Sequence, residues 1–363
     1  MRTVVVTDGK YRASIAAVRS LARAGYAVVV TQTEADCPRT PPVFFSRYAA
    51  ETKWIDGSAK EEDYVNRLET VLRAYERPIL LCVGADSLRA VSRNAMRLAA
   101  LCDFLVSPPE VLDALNDKQA VHDRAAELGI PVPRQYDGVP EAYPVVLKPH
   151  CGEAFGLKAA QRYRIARTEA EYRAALEVFA PYDKAPIVQE KAEGPGIGAS
   201  LLLGKDGRLL CALCHRRIRE YPIQGGPSAC CESFYDESLI RRSYDLLRSF
   251  GFTGLAMVEW KGDRLLEVNP RIWGSFPLTE WTESPMAAQY AREAAGEDPV
   301  YTPGDYKTGV RMRFFLSDAA ATASLLLHGR ISAGLTGIAD LFRAKEAIFR
   351  REDVKPFWRY LRR

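Results

Sequence analysis

Two apolar runs near the N-terminus, "RTVVVTDG" and "YAVVVTQ", flank one amphipathic stretch, "ASIAAVRSLARAG", which ends at Gly25. A strand with no polar face has to be covered on both sides. Two such strands joined by a helix-length connection pair in parallel, which predicts a parallel sheet layered with helices. "PILLCVGA" adds a strand, "SLRAVSRNAMRLAALC" adds a helix, and "FLVSPP" reads as a short strand stopped by prolines. Residues 1–110 are thus expected to form a Rossmann-like α/β domain. It has no G-x-G-x-x-G after its first strand, so it is a poor dinucleotide site. The "TDGKYR" turn is either an anion site at a helix start or a plain connection.

The rest of the chain changes rhythm. "EVLDALNDKQAVHDRAAELGIPVPRQY" is helical until Gly129 and two prolines break it. "YPVVLKP" and "APIVQEKAEGPGIGASLLLG" supply strands around Gly/Pro turns. From residue 205 strands dominate, with "GRLLCALCHRRI", "LAMVEW" and "RLLEVN", and helices fall near 237–250 and 285–295. A tail from 301 holds one strand, "GVRMRFFL", and helical stretches. Among 363 residues the net charge is only +4, which argues against a nucleic-acid partner. No run reaches the ~20 apolar residues that span a bilayer, and the N-terminus has no convincing signal peptide, so no membrane partner and a cytoplasmic setting are expected. The eight scattered cysteines are then buried thiols. "CALC", with Cys211 and Cys214, has metal or redox spacing but no second pair to complete a site.

The chemistry concentrates in "VEWKGDRLLEVNPRIWGS". Alternate residues of a strand share a face, so Glu267, Asn269 and Arg271 point one way unless Pro270 bends the strand. A hairpin brings Glu259 beside Glu267 if residues 262–264 form a three-residue loop. A two-residue turn at Gly262-Asp263 sends the two acids to opposite faces. Three oxygen-bearing side chains on one face suit Mg²⁺, and Arg271 can hold a phosphoryl or carboxylate oxygen. Lys148 ends the apolar run of "YPVVLKP" and is either snorkelling or aimed at an anion. The loop after it, "HCGEAFG", has Gly152 and Gly156 for close approach to phosphate. Lys118 lies near a helix start, where a surface lysine is the ordinary explanation. "IVQEKAEG" ends a strand with polar residues, and exposed backbone there can hydrogen-bond an adenine.

In this order the motifs resemble the ATP-grasp superfamily of carboxylate–amine ligases, over residues 1 to about 300. "VEW" with "EVNPR" is the specific part, "LKP" the weaker, and the ordered set is strong. "HRRIREYPIQGGPSACCES" before "EVNPRIWGS" looks like the branch holding carbamoyl-phosphate-synthetase-like and cell-wall amino-acid ligases. The resemblance implies an ATP-grasp domain over 111–300, its lid at about 136–192, and a C-terminal extension over 301–363. It implies ATP and Mg²⁺ (or Mn²⁺) as cofactors. Lys118 and Lys148 would bind phosphates and Gly152 and Gly156 would lie in the lid loop. Gln189, Glu190, Lys191 and Ala192 would be the adenine hinge, with Glu193 toward the ribose. Glu259, Glu267 and Asn269 would hold metal, and Arg271, with Lys148, would be catalytic. The chain departs from the pattern with Cys151 and Glu153 in the lid loop. It also has no clear ribose acid after "EGP", where Gly196 and Gly198 stand.

Substrate groups are sought in the remaining wall. Alternation places Arg217 and Arg219 on one face and Arg216 on the other, for a substrate carboxylate or for salt bridges along a strand. His215, Gly225, Gly226 and Ser275 complete the candidates, while His122, His150 and His328 have no comparable context. The expected activity is joining a small-molecule carboxylate to an amine through an acyl phosphate. The alternatives are carboxyphosphate chemistry and a non-catalytic nucleotide-binding protein. The tail is left as either a cover for the site or a homodimer face.

Overall fold

The computed structural model describes residues 1–55, 60–150, 157, 161–223 and 225–362. The N-terminal strands β1 (Thr3–Val6), β2 (Ala27–Thr33), β3 (Glu51–Ile55) and β4 (Ile79–Leu81) form a parallel sheet in the order β3-β2-β1-β4. Its apolar strands are buried on both faces, Val4 and Val6 in one cluster and Val5 in another. "FLVSPP" makes no strand. Only Asp103 bridges to Ile79, and beyond it the Leu105 amide donates to the Tyr290 hydroxyl at 3.2 Å instead of to a strand. The helix expected over "SLRAVSRNAMRLAALC" is two, Ala85–Arg93 and Ala95–Leu98, interrupted at Asn94.

A small antiparallel sheet follows, of β5 (Val145–Lys148), β6 (Arg164–Ala166) and β7 (Ile187–Glu190) in the order β6-β5-β7. The helix Glu169–Phe179 covers it, burying Tyr172, Ala175 and Phe179 against Val145 and Leu147. The third sheet uses β8 (Gly196–Leu203), β9 (Leu209–Glu220), β10 (Ser228–Phe234), β11 (Gly254–Lys261), β12 (Arg264–Asn269), β13 (Arg311–Arg313) and β14 (Lys345–Glu346). Its order is β12-β11-β8-β9-β10-β13-β14, so the tail beyond residue 301 extends its edge.

The two faces of this sheet have different neighbours. Ala199, Leu201, Cys214 and Val258 pack with Val121, Leu246 and Leu247 of helices Lys118–Glu127 and Glu237–Ser249. Leu202, Leu213 and Met257 pack with Ile15 and Val18 of helix Arg12–Arg23, so this face binds the first domain. The tail returns to the same helix, where buried Arg19 donates from Nε to Asp353 at 2.8 Å. No described helix is long and apolar enough to cross a membrane. The seven described cysteines are buried.

Candidate functional site

The β11–β12 hairpin meets both conditions that the sequence set against each other. Lys261 pairs with Arg264, so the turn has two residues, Gly262 and Asp263, and Gly262 sits at φ +58°. A positive φ at the first central position is what a tight hairpin of this kind requires. That register alone would split the acids between faces. An extra residue, Leu266, bulges out between Trp260↔Leu265 and Glu259↔Glu267 and restores the shared face. Asn269 follows Glu267 on the same face, opposite Met257.

The bulge also carries a contact. The Leu266 carbonyl accepts from His122 Nε2 at 3.0 Å and lies 3.4 Å from Lys148 Nζ. A carbonyl only accepts, so Nε2 carries the proton, and Nδ1 accepts from Gln135 Nε2 at 3.0 Å. Gln135, His122, Leu266 and Lys148 thus form one chain of polar contacts from the isolated bridge at Gln135, after the Pro-rich break, to the end of β5, the central strand of the small sheet. Burial, with the Lys148 charge adding to it, holds the His122 imidazole down to about 4, so it is neutral. Burial pushes Lys148 down to about 7; Glu267 opposes this and Lys118 adds to it. His122 is the residue sequence reasoning passed over. Its spacing from Lys118, one helical turn on, was the available signal.

Lys118 occupies the first position of its helix because Asp117 caps it, accepting from Gln119 N at 2.8 Å and Ala120 N at 3.3 Å. From there Lys118 Nζ reaches Glu267 Oε2 at 3.4 Å. Burial works to raise the Glu267 carboxyl, yet Lys118 and Lys148 outweigh it and hold it below the usual range. Burial raises Glu259, against the pull of Arg217 and with Glu267 adding to the rise. Glu259 accepts from Arg217 and, at 3.1 Å, from Asn269 Nδ2. Asn269 therefore turns its nitrogen toward Glu259 and keeps its amide oxygen for another partner. Two carboxylates and an amide oxygen on one face fit a hard divalent cation. Among the described residues, no group of three His, Cys, Asp or Glu side chains is placed to hold a metal ion; this set has two acids and an amide.

A row crosses the sheet here: Glu267 pairs with Glu259, Glu259 with Gly198, and Gly198 with His215. A Cβ on Gly198 would lie 2.3 Å from His215 Cε1, and one on Gly196 would lie 2.9 Å from Arg217 Cδ. The two glycines that stand where a ribose acid was sought thus have a steric purpose. They let His215 and Arg217 lie across β8. His215 Nε2 is 3.0 Å from Ser275 Oγ, and its Nδ1 is buried with no partner among the described residues. Burial and then Arg217 lower the His215 imidazole to about 3, which leaves it neutral and a poor base.

Arg219 departs from the expected alternation. Ile218 bulges between Cys230↔Arg219 and Cys231↔Arg217, so Arg219 lies on the face opposite Arg217. There its Nε donates to Asp318 at 2.6 Å and its Nη1 to Asp340 at 2.7 Å, and it is buried. Arg216 joins the same network through Glu232 and Arg311. Arg219 therefore anchors the tail, and of the three β9 arginines it is Arg217 that faces the acids.

The remaining candidates surround this centre. Strand β12 ends at Asn269, and Arg271 donates to the Ile272 carbonyl at 3.1 Å. Its charge acts on Glu259 and on Tyr11 of the first domain, which places it where the two units meet. Gln189 is buried in β7, its Oε1 with no partner among the described residues, and Glu190 N donates to the Arg134 carbonyl at 2.8 Å. Lys191 and Glu193 are exposed and Ala192 half-buried. The Glu193 carbonyl closes on Gly262, where a Cβ would come within 2.7 Å of it. Gly225 accepts through its carbonyl from Tyr163 of the small-sheet unit, and Gly226 packs on Tyr221. His150 donates from its backbone N to Asp183 at 3.0 Å. Gly152 and Gly156 lie outside the described residues.

With this geometry in hand, comparison with solved structures locates the fold. The biotin carboxylase domain of 2-oxoglutarate carboxylase from Hydrogenobacter thermophilus, solved with MgADP and bicarbonate, matches at TM-score 0.64 and 16% identity. That match covers 85% of this chain and 73% of that one. Biotin carboxylase from Campylobacter jejuni matches at 0.62 and 15% identity, over 85% and 74% of the two chains. L-amino acid ligase from Bacillus licheniformis matches at 0.55 and 14%, over 80% and 74%. The chain has the ATP-grasp fold. No family profile and no curated protein matches this chain.

Proposed function

We propose that this ATP-grasp chain is an ATP-dependent ligase joining a carboxylate to an amine, with residues 111–300 as its catalytic unit and about 136–192 as its lid. The observation that carries the proposal is the meeting of Lys118 and Lys148, from two different elements, at the Glu259–Glu267 pair. One buried and one half-buried cation over two acids and an amide oxygen make a site for a polyphosphate with its divalent cation. Glu259, Glu267 and Asn269 would hold Mg²⁺, which when bound supplies charge neutralisation at the phosphates. Lys148 would take the ATP phosphates as a protonated donor and Lys118 would oppose their charge from the helix start. Residues 189–193 would receive the adenine and ribose. The similar solved structures in complex with MgADP and with beta-gamma-ATP support this assignment.

In the proposed reaction a substrate carboxylate oxygen attacks the γ-phosphorus and ADP leaves, giving an acyl phosphate. The amine then attacks the acyl carbon, loses a proton, and inorganic phosphate departs. Arg271 would stabilise the charge on the acyl oxygen, a role in which a fixed donor is worth most in the transition state. Arg217, fixed by Glu259 and given room by Gly196, would orient the acid rather than bind substrate directly. The setting would be the cytoplasm, where ATP is supplied. Bicarbonate in a neighbouring biotin carboxylase supports a second reading, in which the carboxylate is bicarbonate and the product carboxyphosphate. ADP release measured with pooled carboxylates, with and without pooled amino acids, tests the proposal. Release requiring both pools supports it. Release with bicarbonate alone supports the second reading, and no release with any pool contradicts both.

A further inference from the structure

Between β13 and β14 the tail folds into a helical hairpin, Phe315–Leu327 and Ile331–Arg343, held over β9 through Asp318 and Asp340. The second helix has its residue sizes reversed for a helix in water. Its inner face is glycine. A Cβ on Gly334 would lie 2.3 Å from Leu326 Cδ2, and one on Gly337 would lie 2.4 Å from Thr322 Oγ1. The large side chains stand outside: Ile331 is 54% exposed, Leu335 57%, Ile338 41% and Phe342 88%. At 100° per residue these four fall within an arc of about 60°. The first helix adds Leu316, 52% exposed, and Leu327, 86% exposed. Burying large apolar groups is the usual reason for an amphipathic helix, and a continuous exposed stripe of this kind marks a docking surface.

The charges around the stripe select its occupant. Between residues 315 and 345 the acids are Asp318 and Asp340, both buried against Arg219 and Arg311. The basic residues of the segment, Arg330, Arg343 and Lys345, are exposed at the two ends of the stripe. A second copy of this chain fits poorly. A two-fold axis across the helix sets Arg330 against Arg343 of the copy, and one along it sets Arg330 against Arg330. Either way cation meets cation. An apolar stripe with basic ends and no accessible acid complements an anionic interface with an apolar interior. We propose that the hairpin 315–343 rests in the surface of an anionic lipid bilayer. The stripe enters the headgroup–acyl boundary, and Arg330, Arg343 and Lys345 meet the phosphates. The expectation of no membrane partner, drawn from the lack of a spanning segment, does not extend to a helix that lies on the surface.

The test is flotation of the full chain with vesicles of phosphatidylcholine alone and with a third of phosphatidylserine, at low and high salt. The protein should float with the anionic vesicles, several-fold less with neutral ones, and less at high salt. Leu335→Asp with Phe342→Asp, both at exposed positions, should reduce flotation about tenfold or more. Arg330→Ser with Arg343→Ser should lower it roughly fivefold per charge. An unchanged melting temperature in each variant shows that the fold survives. No flotation with anionic vesicles, or flotation that ignores both variants, overturns the proposal. So does a dimer in light scattering that Phe342→Asp dissolves while the parent ignores vesicles, since the occupant is then a second copy.

Discussion

Replacing Lys148 with Met should make the free protein more stable and weaken the proposed nucleotide site. The methionine keeps an unbranched apolar stem in a buried position and removes the ammonium. Burial lowers that ammonium from 10.5 to about 7, which corresponds to roughly 5 kcal/mol working against the charged form in the fold. Part of this is returned when the contact with the Leu266 carbonyl is lost, though that carbonyl still accepts from His122. The net gain at pH 6.5 should be roughly 2–3 kcal/mol. The sign with pH follows from proton counts. Between about 7 and 10.5 the unfolded chain holds a proton on Lys148 that the folded chain has released, so the parent gains stability as pH rises through that window. The advantage of the methionine variant should therefore be largest below pH 7 and shrink toward pH 10. Calorimetric unfolding at pH 6.5 and 9.5 measures this, and titration with ADP and Mg²⁺ measures binding. Loss of a charged donor should weaken ADP roughly 10–100-fold. A variant less stable than the parent at pH 6.5, or one that binds ADP as the parent does, refutes the reasoning.

Other perturbations test separate parts of the account. His122→Leu should raise KM for ATP several-fold with a smaller change in kcat, because it frees the Leu266 carbonyl and loosens Lys148; steady-state kinetics separate the two. Gly198→Ala should cost about 1–3 kcal/mol in denaturant unfolding, since its methyl would collide with the His215 ring. Arg271→Lys keeps the charge but loses the planar fork, and should lower kcat by roughly 10²-fold while leaving ATP KM near that of the parent. Arg219→Ala should destabilise the chain by about 3–5 kcal/mol, because Asp318 and Asp340 lose a buried partner. Its ADP affinity below the melting transition should stay unchanged.

The parallel sheet was legible because β1, β2 and β4 each contain a short unbroken run of valine, isoleucine or leucine. β3 and the helix Glu61–Leu72 were missed: β3 is an edge strand, "ETKWI", whose residues are mostly exposed, so no apolar pattern marks it. Alternation gave Glu267 and Asn269 correctly. It could not decide Glu259, because the answer turned on a bulge at Leu266 that no residue type announces. The same blindness inverted Arg219: the bulge at Ile218 shifts one residue and every later side chain changes face. Gly196 and Gly198 were visible as glycines, but their purpose lies in side chains arriving from β9. His122 looked ordinary because its partners, Gln135 and Leu266, are 13 and 144 residues away.

The central claim is that a carboxylate is phosphorylated at the Lys118–Lys148–Glu267 site before an amine arrives. Hydroxylamine added to the protein with Mg-ATP and pooled carboxylates tests it most directly, since it captures an acyl phosphate as a stable hydroxamate. Hydroxamate should form in step with ADP and be abolished in Lys148→Met and in Glu267→Gln. ADP formed from a carboxylate with no hydroxamate, or hydroxamate formed equally by those two variants, would contradict it.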